Sequence, residues 1–235
     1  MSTPRQLGSD ELRQLLQSAP GHAHGQLLTS ALAGHGASQL AVAQAYLEGI
    51  GCERDAAEAV YWFQQAAHQT HPAAMNMLGR CYENGWGALV DYALAAVWYR
   101  RAAEHGSDWG LYNYAHVLAN GRGVPKDRAQ AFAYFGLAAA AGQARAMHFL
   151  GQYYEHGWET PADPAMAREL YRRSAEAGDY RGQSSWASVL AEEGRIEEAC
   201  ALLKSSLAAA PAYFAVALLE QLRHSGHPEL CALSA

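Results

Sequence analysis

Residues 77–106 read MLGRCYENGWGALVDYALAAVWYRRAAEHG, and this stretch contains the pattern that decides the fold. Two glycines one residue apart follow a segment with apolar side chains at helical spacing, and an aromatic pair begins further on at Trp98. The same pattern returns every 36 residues, and a fixed period of this length indicates stacked copies of one supersecondary unit. Four series keep the step: Gly49, Gly85, Gly121 and Gly157; Asp55, Asp91, Asp127 and Asp163; Ala59, Ala95, Ala131 and Ala167; Phe63, Tyr99, Phe135 and Tyr171.

Each copy is predicted to be a pair of helices joined by a glycine turn. The first helix of one copy is expected from about Ala73 to Asn84, and Gly85 supplies the left-handed conformation that commonly ends a helix. Asp55 stands where an N-cap belongs, and Glu58 completes the sequence of a capping box. Pro164 directly follows the equivalent aspartate of the fourth copy, which is a favoured first-turn position for proline.

The second helix of each copy is predicted to supply the core. Its aromatic pairs are followed by pairs of alanines at helical spacing, so that large side chains meet spaces left by small ones. A small residue also recurs on each first helix, where it permits close approach of a neighbouring backbone: Ala43, Gly79, Ala115, Gly151 and Ala187. One helix pair cannot bury its apolar face alone, so neighbouring copies must stack.

Residues 77–106 resemble the Sel1-like repeat, whose pattern is L-G-x-x-Y-x-x-G-x-G-V, then D, then A-x-x-W-Y-x-x-A-A-x-x-G. Residues 121–142 match it equally well, and the resemblance extends over about residues 37–178. This family is a relative of the tetratricopeptide repeat. The resemblance implies an all-α fold, an αα superhelical solenoid of stacked helix-turn-helix repeats with a concave face formed by the first helices. It also implies a non-catalytic adaptor, of a kind found largely in bacteria, that binds protein or peptide segments.

The whole chain is predicted to be one solenoid domain, residues 1–235, with atypical units at its ends. We expect helices at Asp10–Ser18 and Gln26–Ala33, a closing helix at Ala212–Arg223 and a mobile tail. Four segments follow: N-terminal capping helices at 1–36, four 36-residue repeats at 37–178, a degenerate fifth repeat at 179–210, and a C-terminal capping helix with its tail at 211–235.

Composition narrows the classes of function. The chain has 235 residues, a formal net charge of −6 and only two lysines, which argues against binding a nucleic-acid backbone. Its polar start lacks the apolar core of a secretory signal, and no uncharged stretch reaches the roughly 20 residues of a membrane span. The four cysteines form no CxxC pair, which favours free thiols. We therefore expect a cytoplasmic protein that contacts neither nucleic acid nor membrane.

Partner-binding positions are expected where the copies differ on the first helix. By analogy with tetratricopeptide repeats, positions i, i+4 and i+8 of that helix share one face and form the groove. Arg80 could hold a carboxylate, and Trp109 and Tyr112 are candidate aromatic anchors. The alternative is a merely solvated inner surface. The candidate groove residues are Asn76, Arg80, Asn84, Trp109, Tyr112, His116, Asn120, His148, Gln152 and His156.

Other functions stay open at this point. A metal could be held if His116, His148 and His156 converged, and His22 and His24 stand in an expected loop, but none has the spacing of a structural zinc site. A small-ligand-binding protein or a hydrolase on the same scaffold is a further alternative, as is a structural subunit that uses its end repeats. The sequence contains no nucleophile elbow and no P-loop, so we expect no catalytic activity and no cofactor.

Overall fold

The structure, a computed structural model, describes residues 20–234. Within this range every regular element is a helix, and the helices form stacked adjacent pairs, as in an αα solenoid. The helices are α1 (Pro20–Leu32), α2 (Gly36–Glu48), α3 (Ala56–His68), α4 (Pro72–Asn84), α5 (Tyr92–Glu104), α6 (Asp108–Asn120), α7 (Arg128–Ala140), α8 (Ala144–His156), α9 (Pro164–Glu176), α10 (Tyr180–Glu192), α11 (Ile196–Ala209), α12 (Ala212–Arg223) and α13 (Pro228–Cys231), followed by a 3-10 turn at Ala232–Ser234.

The described residues belong to two compact units, one ending at Asp127 and the other beginning at Arg128. The first contains α1 to α6 and the second α7 to α13. In each unit the core lies between the first and second helices of successive copies. The expectation of a single domain over residues 1–235 stays a prediction.

The ends of the chain differ in part from expectation. The closing helix at Ala212–Arg223 is confirmed as α12. The expected helix at Gln26–Ala33 covers more residues than predicted, since α1 includes Pro20–Leu32, and His22 and His24 are therefore helical rather than in a loop. Within the expected tail, Pro228–Cys231 forms α13 and Ala232–Ser234 the 3-10 turn, and the tail's mobility stays a prediction. The expected helix Asp10–Ser18 lies outside the described residues.

Three aspartates of the 36-residue series, Asp55, Asp91 and Asp163, cap their second helices. The Asp55 carboxylate accepts hydrogen bonds from the backbone N–H groups of Ala57 and Glu58, at 2.9 and 3.0 Å. Its own N–H donates to the Tyr46 carbonyl at 2.9 Å, so the reciprocal half of the expected capping box is not needed. The Asp163 carboxylate likewise caps α9, which confirms the predicted start before Pro164.

The first helices end at glycines in the left-handed conformation, as predicted. Gly49, Gly85, Gly121 and Gly157 have φ between 68° and 75°. The second glycine of the turn serves a different purpose, because a Cβ at Gly87 or Gly123 would overlap the backbone at the start of the second helix in the preceding copy. Glu159 takes this position in the fourth copy with φ 59°, so the conformation alone does not require glycine.

The 36-residue aromatic series forms the core, as predicted: Phe63, Tyr99, Phe135 and Tyr171 are all buried. In the two tyrosine copies the first helix carries glycine opposite the ring. A Cβ at Gly79 would lie 2.5 Å from the Tyr99 ring, and one at Gly151 would lie 2.6 Å from the Tyr171 ring. The two phenylalanine copies have alanine at that position. The copies therefore alternate between a phenylalanine facing an alanine and a tyrosine facing a glycine.

The tyrosine hydroxyls also have matched partners. The Tyr99 hydroxyl donates to the Glu83 carboxylate at 2.6 Å, and the Tyr171 hydroxyl donates to the Glu155 carboxylate at 2.8 Å. The phenylalanine copies need no such acceptor, and they have Leu47 and Ala119 at the glutamate position. Three positions therefore change together from copy to copy. A tyrosine ring occurs with a facing glycine and a glutamate acceptor, whereas a phenylalanine ring occurs with a facing alanine and an apolar residue.

Thr70 marks a position where we expect a stabilising substitution. It has φ 59° at the end of α3, where later copies have Gly106, Gly142 and Gly178, all at positive φ. A β-branched residue is strained there. We expect Thr70→Gly to raise the free energy of unfolding by about 1 kcal/mol. The substitution removes the penalty that a left-handed backbone imposes on threonine, and the greater conformational entropy of glycine in the unfolded chain offsets part of this gain. Urea denaturation measures this, and a lowered stability would contradict it.

Candidate functional site

The first position of the expected groove stripe is buried in three copies. Asn76 is 8 % exposed, and its side-chain oxygen accepts a hydrogen bond from the Asn113 amide at 2.8 Å. Tyr112 is 7 % exposed and His148 is 6 % exposed. These side chains pack inside their units and do not offer an open surface.

The other stripe positions of the first unit are more accessible. Arg80 is exposed, with its guanidinium 4.9 Å from the centre of the Trp86 ring. Trp109 is 41 % exposed and packs edge-on against Tyr112, at 6.0 Å between ring centres. Arg80 thus presents a cation held against an aromatic ring on the face of α4.

Two amide side chains predicted to line the groove form hydrogen bonds with the backbone of their own helices. Asn84 is exposed and donates to the Arg80 carbonyl at 2.9 Å. Asn120 is exposed and donates to the carbonyl of the half-buried His116 at 2.8 Å. Since these amide N–H groups satisfy carbonyls near the helix ends, each side chain has its oxygen left to accept from a partner.

In the second unit, α8 carries the remaining three candidates. The buried His148 has its Nδ1 at 3.4 Å from the Ser185 hydroxyl of α10. Gln152 is half-buried, one turn further along α8. His156 is exposed and lies against the Trp158 ring, at 4.6 Å between ring centres.

Two clefts open on the first helices of the second unit. One, of about 300 Å³, lies between α8, α9 and α10 and has Glu155, Arg168 and Glu192 in its lining. The other, of about 220 Å³, lies between α8, α10 and α12. Gln152 and Ser185 line both of them, so the two clefts adjoin along α8 and α10.

The smaller cleft contains residues that the sequence interpretation missed. Arg181 at the start of α10 and Phe214 and Gln221 on α12 all line it. The sequence pattern predicts capping units for the fifth copy and the closing helix, and capping units are not expected to line a binding site. The repeat did contain a signal for this cleft. Ser185 lies 72 residues, or two repeat lengths, after Asn113, and Asn113 hydrogen-bonds the stripe residue Asn76.

No metal centre is formed by the described residues. No group of three or more His, Cys, Asp or Glu side chains among them could hold an ion. His22 hydrogen-bonds Gln26, and His24 packs edge-on against Tyr46 at 5.1 Å. Between residues 20 and 234, no helix is both long and apolar enough to cross a bilayer.

His148 should make the second unit sensitive to acid. Burial, and then the nearby Arg181 guanidinium, lower its pKa from 6.5 to about 4. The folded state therefore binds fewer protons than the unfolded state, so stability is full above pH 6.5 and falls as the pH drops towards 4. We expect a loss of about 2 kcal/mol in the free energy of unfolding between pH 8 and pH 5 from this residue.

The variant His148→Asn tests this expectation, because the equivalent position of the second copy is Asn76. Urea titrations at pH 8 and pH 5 should show a smaller loss for the variant than for the wild type. Burial also lowers the pKa of His24 and His71, but both proteins keep these residues. Equal losses in the two proteins would contradict the assignment.

Comparison with known structures places this geometry among Sel1 repeat proteins. A Sel1 repeat protein from Oxalobacter formigenes is 24 % identical, with a TM-score of 0.79 and coverage of 96 % of both chains. The protective antigen c5321 of uropathogenic Escherichia coli, which displays an SLR fold, is 27 % identical with a TM-score of 0.73. That match covers 96 % of this chain and 51 % of the antigen, so the chain spans about half the antigen's length.

More distant structures share the fold alone. The immunity protein Pa5087 from Pseudomonas aeruginosa is 18 % identical with a TM-score of 0.58, and the match covers 86 % of this chain and 84 % of that one. No curated protein matches the sequence. The Sel1 repeat pattern matches residues 36–71, 72–107, 110–143 and 144–179, which together exceed half of the chain. The chain therefore belongs to the Sel1 repeat family.

Proposed function

We propose that this protein is a non-catalytic scaffold that binds a protein or peptide segment on the first-helix faces of its repeats. The observation that carries the proposal is a difference in side-chain exposure between the two helices of each copy. The 36-residue aromatic series of the second helices is buried, whereas the i+4 and i+8 positions of the first helices are exposed or half-buried. Those positions are polar and differ between copies: Arg80, Asn84, His116, Asn120, Gln152 and His156.

Two further points support the proposal. The Sel1 repeat family is generally a non-catalytic repeat scaffold, typically used for protein interactions. Aromatic and arginine side chains dominate the binding energy of most interfaces, and the first unit displays Arg80 with Trp86 and Trp109. A cytoplasmic location stays a prediction.

Partner capture with charge-altered variants tests the proposal. We would purify the partner of the wild-type protein from a lysate of the source organism and repeat the capture with Arg80→Glu combined with Gln152→Glu. Tyr112 is not used, because truncating a buried tyrosine would destabilise the first unit. The control combines Arg100→Glu on α5 with Arg173→Gln on α9, which changes the net charge equally on exposed second-helix positions.

We expect the first-helix variant to lose the captured protein and the control variant to keep it. Circular dichroism should show equal helicity for all three proteins. If both variants kept the partner, or if only the control lost it, the first-helix faces would not be the binding surface.

A small-ligand-binding protein is the second candidate, and the larger cleft of the second unit favours it. Its volume of about 300 Å³ reaches the lower end for small-molecule pockets, whereas the smaller cleft, at about 220 Å³, lies below that range. A metal-binding function has no such support, since the described residues form no cluster of ligands.

A further inference from the structure

We propose that the cleft between α8, α10 and α12 binds a carboxylate group of a peptide partner, and that Arg181 is the residue that recognises it. This inference rests on the proposed function and specifies the chemistry of its ligand in the second unit. It depends on a cation with unused donors, on a cleft without acidic side chains, and on an apolar wall beside the cation.

Arg181 has hydrogen-bonding capacity that the described part of the chain does not use. Its Nη2 donates to the Tyr213 hydroxyl at 3.1 Å, but its buried Nη1 has no partner among those residues. The ion pairs found among the described residues do not include Arg181. The guanidinium lies 4.5 Å from the centre of the Tyr180 ring, which restricts its orientation. A buried donor without a partner is unfavourable, and a ligand acceptor would relieve it.

The lining of the cleft selects for an anion. Gln152, Ser184 and Gln221 supply amides and a hydroxyl, and no Asp or Glu of the described chain lines the space. The adjoining larger cleft has the opposite character, because Glu155 and Glu192 line it beside Arg168. An acidic ligand group would therefore be attracted by the smaller cleft and opposed by two carboxylates in the larger one.

Arg181 is the one cation among the lining residues of this cleft, because the His148 side chain is uncharged. The imidazole is buried beside Ser185, and burial together with Arg181 lowers its pKa to about 4. It is therefore neutral at neutral pH and can both donate and accept a hydrogen bond.

The size and shape of the cleft suit one residue of a peptide. Its volume of about 220 Å³ is below the roughly 300 Å³ at which pockets for drug-sized molecules begin. Phe214 and Leu218 form an apolar wall in the same cleft as Arg181. A guanidinium binds a carboxylate through two parallel hydrogen bonds, and an adjoining apolar side chain of the ligand can lie against the wall.

Three small probes separate the sources of the carboxylate. N-acetyl-leucine has a main-chain carboxylate and an apolar side chain, and N-acetyl-leucine amide is its neutral counterpart. N-acetyl-glutamic acid α-amide has its carboxylate on the side chain. Each is titrated into the full-length protein at neutral pH, and binding is followed through the NMR signals of the Arg181 side chain and the His148 ring.

We expect at least one acid to shift both signals and to bind at least about tenfold more tightly than the neutral amide, since a charge-assisted hydrogen bond is lost. The acid that binds identifies the source as a peptide C-terminus or an acidic side chain. Arg181→Gln should abolish this preference, and Arg168→Gln in the adjoining cleft should preserve it. Arg181→Lys keeps the charge without the planar fork and should retain a reduced preference, which tests the site even if the glutamine variant unfolds.

Equal binding of acids and amide, no shift with any probe, or an unchanged preference in Arg181→Gln would overturn the proposal. These outcomes are separable from failure of the proposed function. Partner capture that is lost with the first-helix variant but unaffected by Arg181→Gln would leave the scaffold role standing and remove only the carboxylate site.

Discussion

Replacing Phe63 by alanine is expected to lower the free energy of unfolding by about 3–5 kcal/mol, as truncation of a fully buried aromatic ring does. Phe63 is completely buried in a cluster that includes Val42 and Leu78 from the first helices of two successive copies. The substitution removes apolar contact from this cluster and leaves a cavity between the copies. Urea denaturation followed by circular dichroism measures the change.

Tyr61→Ala on the same helix is the matched control. Its side chain is 49 % exposed and touches the Trp62 ring at 5.2 Å between centres. We expect a loss below about 1 kcal/mol, because little of the ring leaves an apolar environment. If the two variants were equally destabilised, the aromatic series would not be the core.

Gly123→Val is expected to destabilise the first unit by about 4 kcal/mol, the sum of a left-handed penalty and steric overlap. Gly123 has φ 77°, and a Cβ there would lie 2.6 Å from the Ala93 nitrogen and overlap the Tyr92 carbonyl. Backbone atoms at the start of a helix cannot rotate away as a flexible side chain could. The turn would have to move off α5, with loss of packing between neighbouring copies.

Gly106→Val separates the two causes. Gly106 has a similar φ of 84°, but nothing lies within 4 Å of a Cβ placed there. We expect a loss of about 1–2 kcal/mol from backbone strain alone. Thermal unfolding of both variants should show the difference, and similar melting temperatures would mean that close approach at Gly123 contributes nothing.

The sequence predicted those parts of the fold that depend on neighbouring residues along the chain. Asp55 caps its helix through N–H groups two and three residues away, and Gly85 ends a helix through its own φ angle. Such interactions leave a residue type at a fixed offset, and repetition every 36 residues makes them visible. The assignment of His22 and His24 to a loop was wrong, because no repeated signal marks α1.

The exposure of the stripe residues could not be predicted in this way. Asn76 and His148 are polar, yet each is buried and lies at hydrogen-bond distance from a side chain of the next first helix, Asn113 or Ser185. Whether a polar residue on a helix faces solvent or a polar neighbour depends on how successive copies pack, which spacing within one helix does not specify. Arg181 was missed for the same reason, since three different helices assemble its cleft.

The alternating copies determine where genes of this kind can be recombined. Gly79, Tyr99 and Glu83 belong to one 36-residue block, so exchange of whole blocks keeps ring, space and acceptor together. A crossover between the two helices of a block would place a tyrosine ring against an alanine Cβ and leave its hydroxyl facing Leu47 or Ala119. Productive exchange of modules in designed chimeras should therefore be confined to the junctions between blocks.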